Sequence, residues 1–183
     1  ISLYGGFSAT DWEDRNPDLH LTEIVDASVA TTGVSDLVPH RAVHAPVGVT
    51  ADDVVDGFTI TASGAAYASA VFVEGGSPTF ANNVLQGRAT AAYTTVVRIT
   101  GGAPFFENNE IDPVGATSTT MGVRCDEGQP RFIGNDIHSG ALTGAYAVYY
   151  QSCGGSLAHN VIQAEAPSTG TTWGLELRDS APD

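Results

Sequence analysis

The feature that most constrains the fold is a repeat of about 26 residues that runs through most of the chain, a length typical of stacked repeat units. Four segments share an apolar residue, two intervening positions, an asparagine and a second apolar residue two positions later: SPTFANNVLQG, APFFENNEIDP, QPRFIGNDIHS and GGSLAHNVIQA. Their asparagines, Asn83, Asn109, Asn135 and Asn160, recur at a nearly constant interval. A constant repeat indicates units that stack on one another along an axis.

Each repeat also contains a second stretch in which apolar residues alternate with other residues, the pattern of a strand with one buried face. These stretches are AVFVE, VVRIT, GVRCD, AVYYQ and GLELR. No segment shows a sustained helical period. Two or three short strands per repeat predict an all-β fold, a right-handed parallel β-helix (solenoid) with coils of about 26 residues. A β-sandwich is the alternative all-β fold, but it does not require a constant repeat length.

Stacking would align equivalent residues of successive coils in rows. The four repeat asparagines then form a ladder in which each side-chain amide offers a donor and an acceptor to its neighbours. Asp56 is expected to take the equivalent place one coil earlier. Two apolar rows are expected to form the core: Leu85, Ile111, Ile137 and Ile162, and Phe80, Phe106, Phe132 and Leu157.

The repeats resemble those of bacterial right-handed parallel β-helix proteins of the pectate-lyase-like superfamily. The N-terminal part resembles the start of large secreted and surface members, through the segments SLYGGF, DWEDRNP and DGFTI. The resemblance covers essentially the whole chain and implies a structural or adhesin-like protein that is extracellular or on the cell surface. The shared motifs do not identify any catalytic residue in this chain. We expect one β-helix domain over residues 1–183, with irregular insertions in 1–50 and regular coils in 51–183, as part of a longer chain or assembly.

The charge of the chain argues against several classes of partner. Acidic residues number 21 and basic residues number 7, which gives a formal net charge of −14. A surface this negative repels phosphate backbones and anionic lipids, so neither nucleic acid nor a membrane surface is an expected partner. No apolar run approaches the roughly 18 residues that a membrane-spanning helix needs.

One candidate site is a patch of polar residues on two adjacent coils. Glu110 and Asp136 follow the repeat asparagine directly, and Asp112 and His138 lie two positions further on. Strand alternation predicts that all four side chains point outward. The patch has three interpretations: a solvated surface, a Ca²⁺ or other ligand contact, or an acid and base pair for sugar chemistry. No other cofactor is expected.

A second candidate site is an outward row on the longer strands, made of Phe72, Arg98, Arg124, Tyr149 and Glu176. Aromatic rings stack on sugar rings, and arginine pairs with carboxylates, so Arg98, Arg124 and Tyr149 could hold an acidic sugar. The alternative is that the two arginines lie flat on the sheet and pair with nearby acids.

The two cysteines, Cys125 and Cys153, lie about three residues out of register on neighbouring coils of the predicted solenoid. The loop at SCGG could absorb this offset and allow a disulfide in an exported protein. Otherwise Cys125 would be a buried thiol in the core.

These observations favour a secreted or surface-exposed module without catalytic residues, with a structural or adhesive role and contact to polysaccharide. The alternative is a pectate-lyase-like polysaccharide lyase or hydrolase. Because open solenoid ends expose apolar residues and unpaired strand edges, further coils are expected to cover them. Those coils would come from a longer parent chain or from another copy that stacks end to end into an extracellular filament.

Overall fold

The computed structural model describes residues 1–27, 39–64, 67–89, 93–114, 118–141, 143–165 and 170–182. Within these ranges the chain forms eighteen strands and no helix. The strands form three sheets of six, and neighbouring strands in each sheet run parallel. The predicted parallel β-helix is therefore confirmed. In the same ranges there is no helix of the length and apolarity needed to cross a membrane.

Each coil contributes one strand to each sheet. The first sheet contains β1 (Ser2–Tyr4), β4 (Val54–Asp56), β7 (Thr79–Ala81), β10 (Phe105–Glu107), β13 (Arg131–Ile133) and β16 (Ser156–Ala158). The second sheet contains β2 (Glu23–Asp26), β5 (Thr59–Gly64), β8 (Val84–Ala89), β11 (Glu110–Pro113), β14 (Asp136–Gly140) and β17 (Val161–Glu165). The third sheet contains β3 (His40–Pro46), β6 (Tyr67–Glu74), β9 (Tyr93–Thr100), β12 (Thr119–Glu127), β15 (Gly144–Gln151) and β18 (Thr171–Arg178).

The core consists of apolar rows that run along the solenoid axis. Phe80, Phe106 and Phe132 are fully buried, and their rings stack with centroid distances of 5.0 and 4.6 Å. In the second sheet the buried row is Ile60, Leu85, Ile111 and Ile137. The register of the paired strands follows the interval of the sequence repeat, so the same side-chain type returns to the same height in each coil. The core thus follows from the repeat.

The corner between the first and second sheets determines where the repeat asparagines lie. The first corner residue has a positive φ, 53° at Asn108 and 69° at Gly134, and the second is the repeat asparagine. A Cβ at Gly134 would lie 2.5 Å from Oδ1 of Asn108, so a side chain there would displace that of Asn108, whereas glycine adopts the positive φ without a steric cost. This left-handed corner turns the asparagine that follows it into the core.

The asparagines form a continuous ladder of hydrogen bonds. Each Nδ2 donates to Oδ1 of the next asparagine, at 3.0 Å from Asn83 to Asn109, 2.9 Å from Asn109 to Asn135 and 3.0 Å from Asn135 to Asn160. The backbone N–H groups of the first three donate to the same oxygens. Each Oδ1 of the last three therefore accepts two hydrogen bonds, which satisfies polar groups that burial would otherwise penalise.

The assignment of Asp56 to this ladder was wrong. Asp56 pairs with Ala81 across β4 and β7, and the backbone N–H of Phe58 donates to Oδ1 of Asn83 at 3.0 Å. Phe58 therefore occupies the ladder position of that coil. The reason is that the ladder position of this coil does not hold an asparagine, so the pattern was extended to a polar residue two positions earlier.

Cys125 and Cys153 form a disulfide with a Cα–Cα distance of 6.2 Å. Cys125 is in β12, where its register partner is Tyr150, and Cys153 follows that partner closely in the chain. Both residues are buried, with exposed fractions of 0% and 2%. The bridge covalently joins two adjacent coils at the end of the third sheet.

Candidate functional site

The outer face of the third sheet presents a row of charged and aromatic side chains, one from each coil. The register places Phe72 beside Arg98, Arg98 beside Arg124, Arg124 beside Tyr149, and Tyr149 beside Glu176. Strand β3, which pairs with β6 in this sheet, adds His44, and the ring of His44 stacks on Phe72 at a centroid distance of 5.4 Å. The structure therefore brings Arg98, Arg124 and Tyr149 together in adjacent coils.

Arg98 does not face solvent, although strand alternation predicted that it would. Its side chain is only 1% exposed, and its guanidinium forms an ion pair with Asp126. Arg124 is more accessible, at 22%, and its Nε donates to Oδ1 of Asp126 at 3.0 Å. Arg124 is thus the member of the pair through which this part of the face can contact a ligand, while Arg98 is buried beside it in the neighbouring strand.

Asp126 is a site residue that the sequence reasoning missed. Across β9 and β12, Cys125 pairs with Ile99 and Glu127 pairs with Thr100, so Asp126 is the extra residue of a β-bulge. Asp126 stands two positions after Arg124, so its carboxylate lies on the same face of the strand and contacts both guanidinium groups. A bulge has no reliable sequence signature, but an acid two positions after an arginine on the same strand face was a usable signal.

Tyr149 lies between two arginines. Its ring centroid is 5.7 Å from Cζ of Arg124 and 5.4 Å from Cζ of Arg178, which are cation–π distances. Glu176 accepts hydrogen bonds from Arg178 at 2.7 Å and raises the pKa of that guanidinium above its ordinary value. The Tyr149 hydroxyl donates to Oε1 of Gln151 at 3.2 Å. The residue is 8% exposed, so Tyr149 is held in place by its neighbours and supports Arg124 more than it contacts solvent.

A groove of about 300 Å³ runs beside this row on the same face. It is lined by Tyr67, Tyr93, Thr94, Thr95, Thr119, Met121 and Arg124. The rings of Tyr67 and Tyr93 are stacked, with centroids 5.6 Å apart and planes at 6°. Tyr93 is 44% exposed, so part of its apolar face is available to a ligand. The groove combines aromatic rings, hydroxyl groups and a guanidinium.

The acidic patch on the second sheet is divided between two depressions. Asp136 and His138 are linked by a 2.7 Å contact between Oδ1 and Nε2, at exposed fractions of 51% and 38%. His138 and Asp112 line one depression of about 240 Å³ together with Gln163 and Glu165. Glu110 is adjacent to Asp136 in the register but lines a different depression, of about 370 Å³, with residues of the N-terminal loop. The four residues thus do not converge on one centre.

The side chains of this patch are not arranged as a preformed metal site. Among the residues that the structure describes, no three His, Cys, Asp or Glu side chains are grouped so that they could hold a metal ion. A carboxylate that accepts a hydrogen bond from an imidazole is, however, an arrangement used for proton transfer. Asp136 and His138 are therefore a solvent-exposed carboxylate and imidazole, the side-chain types that such a pair uses.

Comparison with known proteins adds no further assignment. No protein-family model matches the sequence, and neither the curated proteins nor the solved structures include a significant match. Neighbouring asparagines of the ladder are separated by 26 or 25 residues. The chain is accordingly identified by its fold alone, as a parallel β-solenoid whose coils have this length.

Proposed function

We propose that this chain is a secreted or surface-exposed β-helix module with a structural and adhesive role, and that it contacts polysaccharide without transforming it. The observation that supports the contact is the groove in which the stacked Tyr67 and Tyr93 lie near Arg124 on the third sheet. The proposal also agrees with the resemblance of the repeats to surface proteins of the pectate-lyase-like superfamily.

The residues of the groove match the chemistry of a sugar chain. The C–H faces of pyranose rings are apolar and pack on aromatic rings, while sugar hydroxyls exchange hydrogen bonds with Thr95 and Thr119. Arg124 supplies several donors in a fixed plane, suited to hydroxyl or carboxylate oxygens. Because these side chains project from a hydrogen-bonded sheet, little conformational entropy is lost when a ligand binds.

The disulfide supports the extracellular part of the proposal. Disulfides persist in oxidising compartments and are rare in the reducing cytosol. The Cys125–Cys153 bridge is buried, so it belongs to the folded core and is not a bridge formed incidentally at the surface. Cell fractionation with an antibody to the native protein tests this directly, with the protein expected outside the cytoplasm and its cysteines oxidised.

The contact is tested by measuring binding to soluble polysaccharides, acidic ones such as alginate and polygalacturonate and neutral ones such as dextran and xylan. We expect Tyr93→Ala and Arg124→Ala each to weaken binding about tenfold, since each removes roughly one favourable contact. Arg88→Ala is the matched control, because Arg88 is an exposed arginine on the second sheet. Equal binding by all three variants would contradict the proposed site.

A second candidate function, a polysaccharide lyase or hydrolase, is favoured by the paired Asp136 and His138. In this case the depression lined by Asp112 and His138 would hold the sugar. The test is the release of reducing ends or unsaturated uronides from the same polysaccharides. Activity that disappears in His138→Ala while the melting temperature is unchanged would establish the enzyme and overturn the first proposal.

We also propose that a further coil stacks on β18, either from a longer parent chain or from a second copy. The inward residues Leu175 and Leu177 of β18 are 43% and 44% exposed, whereas Val148 and Tyr150, their partners in β15, are fully buried. A stacked coil would bury this apolar edge and pair its free backbone groups. Light scattering that shows a stable 18.9 kDa monomer at high concentration would exclude stacking between copies of this chain.

A further inference from the structure

We infer that Asp126 is the positioning residue of the proposed polysaccharide face, and that its carboxylate fixes the orientation of Arg124 toward the groove. The inference rests on the proposed function and adds a residue that does not itself line the groove. It starts from three observations: the bulge in β12, the two arginines that share one carboxylate, and the disulfide next to them.

The bulge places Asp126 outside the regular pairing of the sheet. Its neighbours Cys125 and Glu127 pair with consecutive residues of β9, so Asp126 has no register partner between them. The side chain is 22% exposed and extends along the outer face toward both arginines. Asp126 lies two positions after Arg124, the same relation as that of Gln151 to Tyr149 in the next strand, so its side chain meets Arg124 on the outer face of the sheet.

One carboxylate then acts on two guanidinium groups. The ion pair with Arg98 compensates a charge that is almost fully buried, which is costly to leave uncompensated. The hydrogen bond from Nε of Arg124 at 3.0 Å restricts rotation of a side chain that also lines the groove. A charged hydrogen bond of this kind is both stronger and more directional than a neutral one. Asp126 thus couples a buried arginine to the arginine that contacts the ligand.

The disulfide lies directly beside the shared carboxylate. Cys125 immediately precedes Asp126 and is bonded to Cys153 in the next coil, so the residue before Asp126 is tied covalently to the adjacent coil. The positioning of Arg124 itself rests on the carboxylate that it shares with Arg98.

The sign of the effect of Asp126→Ala on binding to an acidic polysaccharide separates positioning from simple charge neutralisation. Removing a carboxylate raises the local charge by one, so a merely neutralising Asp126 predicts tighter binding of alginate. A positioning Asp126 predicts about tenfold weaker binding in spite of the added positive charge. Asp126→Asn keeps an acceptor and should lose less, and Asp126→Glu should recover most of the affinity. Unchanged or tighter binding by Asp126→Ala would overturn the inference.

A measurement without ligand distinguishes failure of this inference from failure of the proposed function. In ¹H–¹⁵N spectra the Nε–H of Arg124 should exchange slowly with solvent in the wild type, quickly in Asp126→Ala and slowly again in Asp126→Glu. If no polysaccharide binds, this pattern still supports the positioning role. An Arg124 Nε–H that exchanges equally in all three proteins contradicts it, whatever the binding data show. Because Asp126→Ala and Asp126→Asn also leave the buried charge of Arg98 uncompensated, their melting temperatures are expected to fall, so each variant is first shown by circular dichroism to be folded at the temperature of the measurement.

Discussion

The side-chain amide of Asn109 donates to Oδ1 of Asn135 in the next coil at a distance of 2.9 Å. The same Nδ2 donates to the carbonyl of Phe80 at 3.0 Å, and the backbone N–H of Asn109 donates to Asn135 at 2.9 Å. Asn109 is 2% exposed, so these partners replace water completely. The ladder is therefore a buried polar network inside a solenoid whose core is otherwise mainly apolar, with Thr94, Thr120 and Ser139 as further buried polar residues.

Asn109→Leu is expected to lower the free energy of unfolding by roughly 1–3 kcal/mol, because buried groups of the neighbouring coils lose their partners. Denaturant unfolding of both proteins gives the difference. Gln163→Leu is the control, since Gln163 is an exposed amide of the second sheet. A melting temperature that Asn109→Leu does not change would show that the ladder contributes nothing to stability.

The acidic patch is expected to behave as solvated surface toward calcium. The double variant Glu110→Gln and Asp136→Asn should have the same melting temperature with and without millimolar Ca²⁺, as should the wild type. The physical reason is that Glu110 and Asp112 line different depressions, so the patch offers too few oxygens in one place to displace the ion's water. A rise in melting temperature with Ca²⁺ that the double variant loses would establish a calcium site.

Tyr150 should make the fold sensitive to alkaline pH. Its side chain is fully buried, and burial raises the pKa of its hydroxyl above the ordinary value of about 10. Folding thus favours the protonated phenol. The corresponding contribution to the free energy of unfolding is complete below about pH 10 and is lost as the pH rises further. Tyr150→Phe should therefore lose less stability than the wild type when the pH is raised above about 10. An identical pH dependence of unfolding in both proteins would contradict the account.

The disulfide should stabilise the fold mainly by restricting the unfolded chain. It closes a segment with a sequence separation of 28 residues, for which the entropic estimate is about 3–4 kcal/mol. Cys125→Ala with Cys153→Ala should lower the free energy of unfolding by roughly that amount, and reduction of the wild type should approach the same value. An unfolding free energy equal to that of the oxidised wild type would show that the bridge is dispensable.

The sequence predicts most of the fold because the repeat places chemically similar residues at one height in every coil. The phenylalanine row and the asparagine ladder follow from spacing alone. The error at Asp56 arose because the ladder position of that coil holds Phe58 and not an asparagine, so the pattern was extended to a polar residue two positions earlier.

The candidate site was less predictable, for two physical reasons. The register of Arg98, Arg124 and Tyr149 follows from strand alternation, but the burial of Arg98 depends on packing around the row. The role of Asp126 depends on its ion pair with Arg98 in the neighbouring strand, and side-chain packing determines that contact. The rows of equivalent residues could be predicted from the sequence, whereas the contacts between side chains of neighbouring strands could not.

The most direct test of the proposed function is to map the amide and side-chain signals that shift when an oligosaccharide of alginate or xylan is titrated into the ¹⁵N-labelled protein. The account predicts saturable shifts at Tyr93, Thr119 and Arg124 on the third sheet, with the second sheet unaffected. Shifts confined to Asp136 and His138, or none with any of the polysaccharides tested, would contradict it.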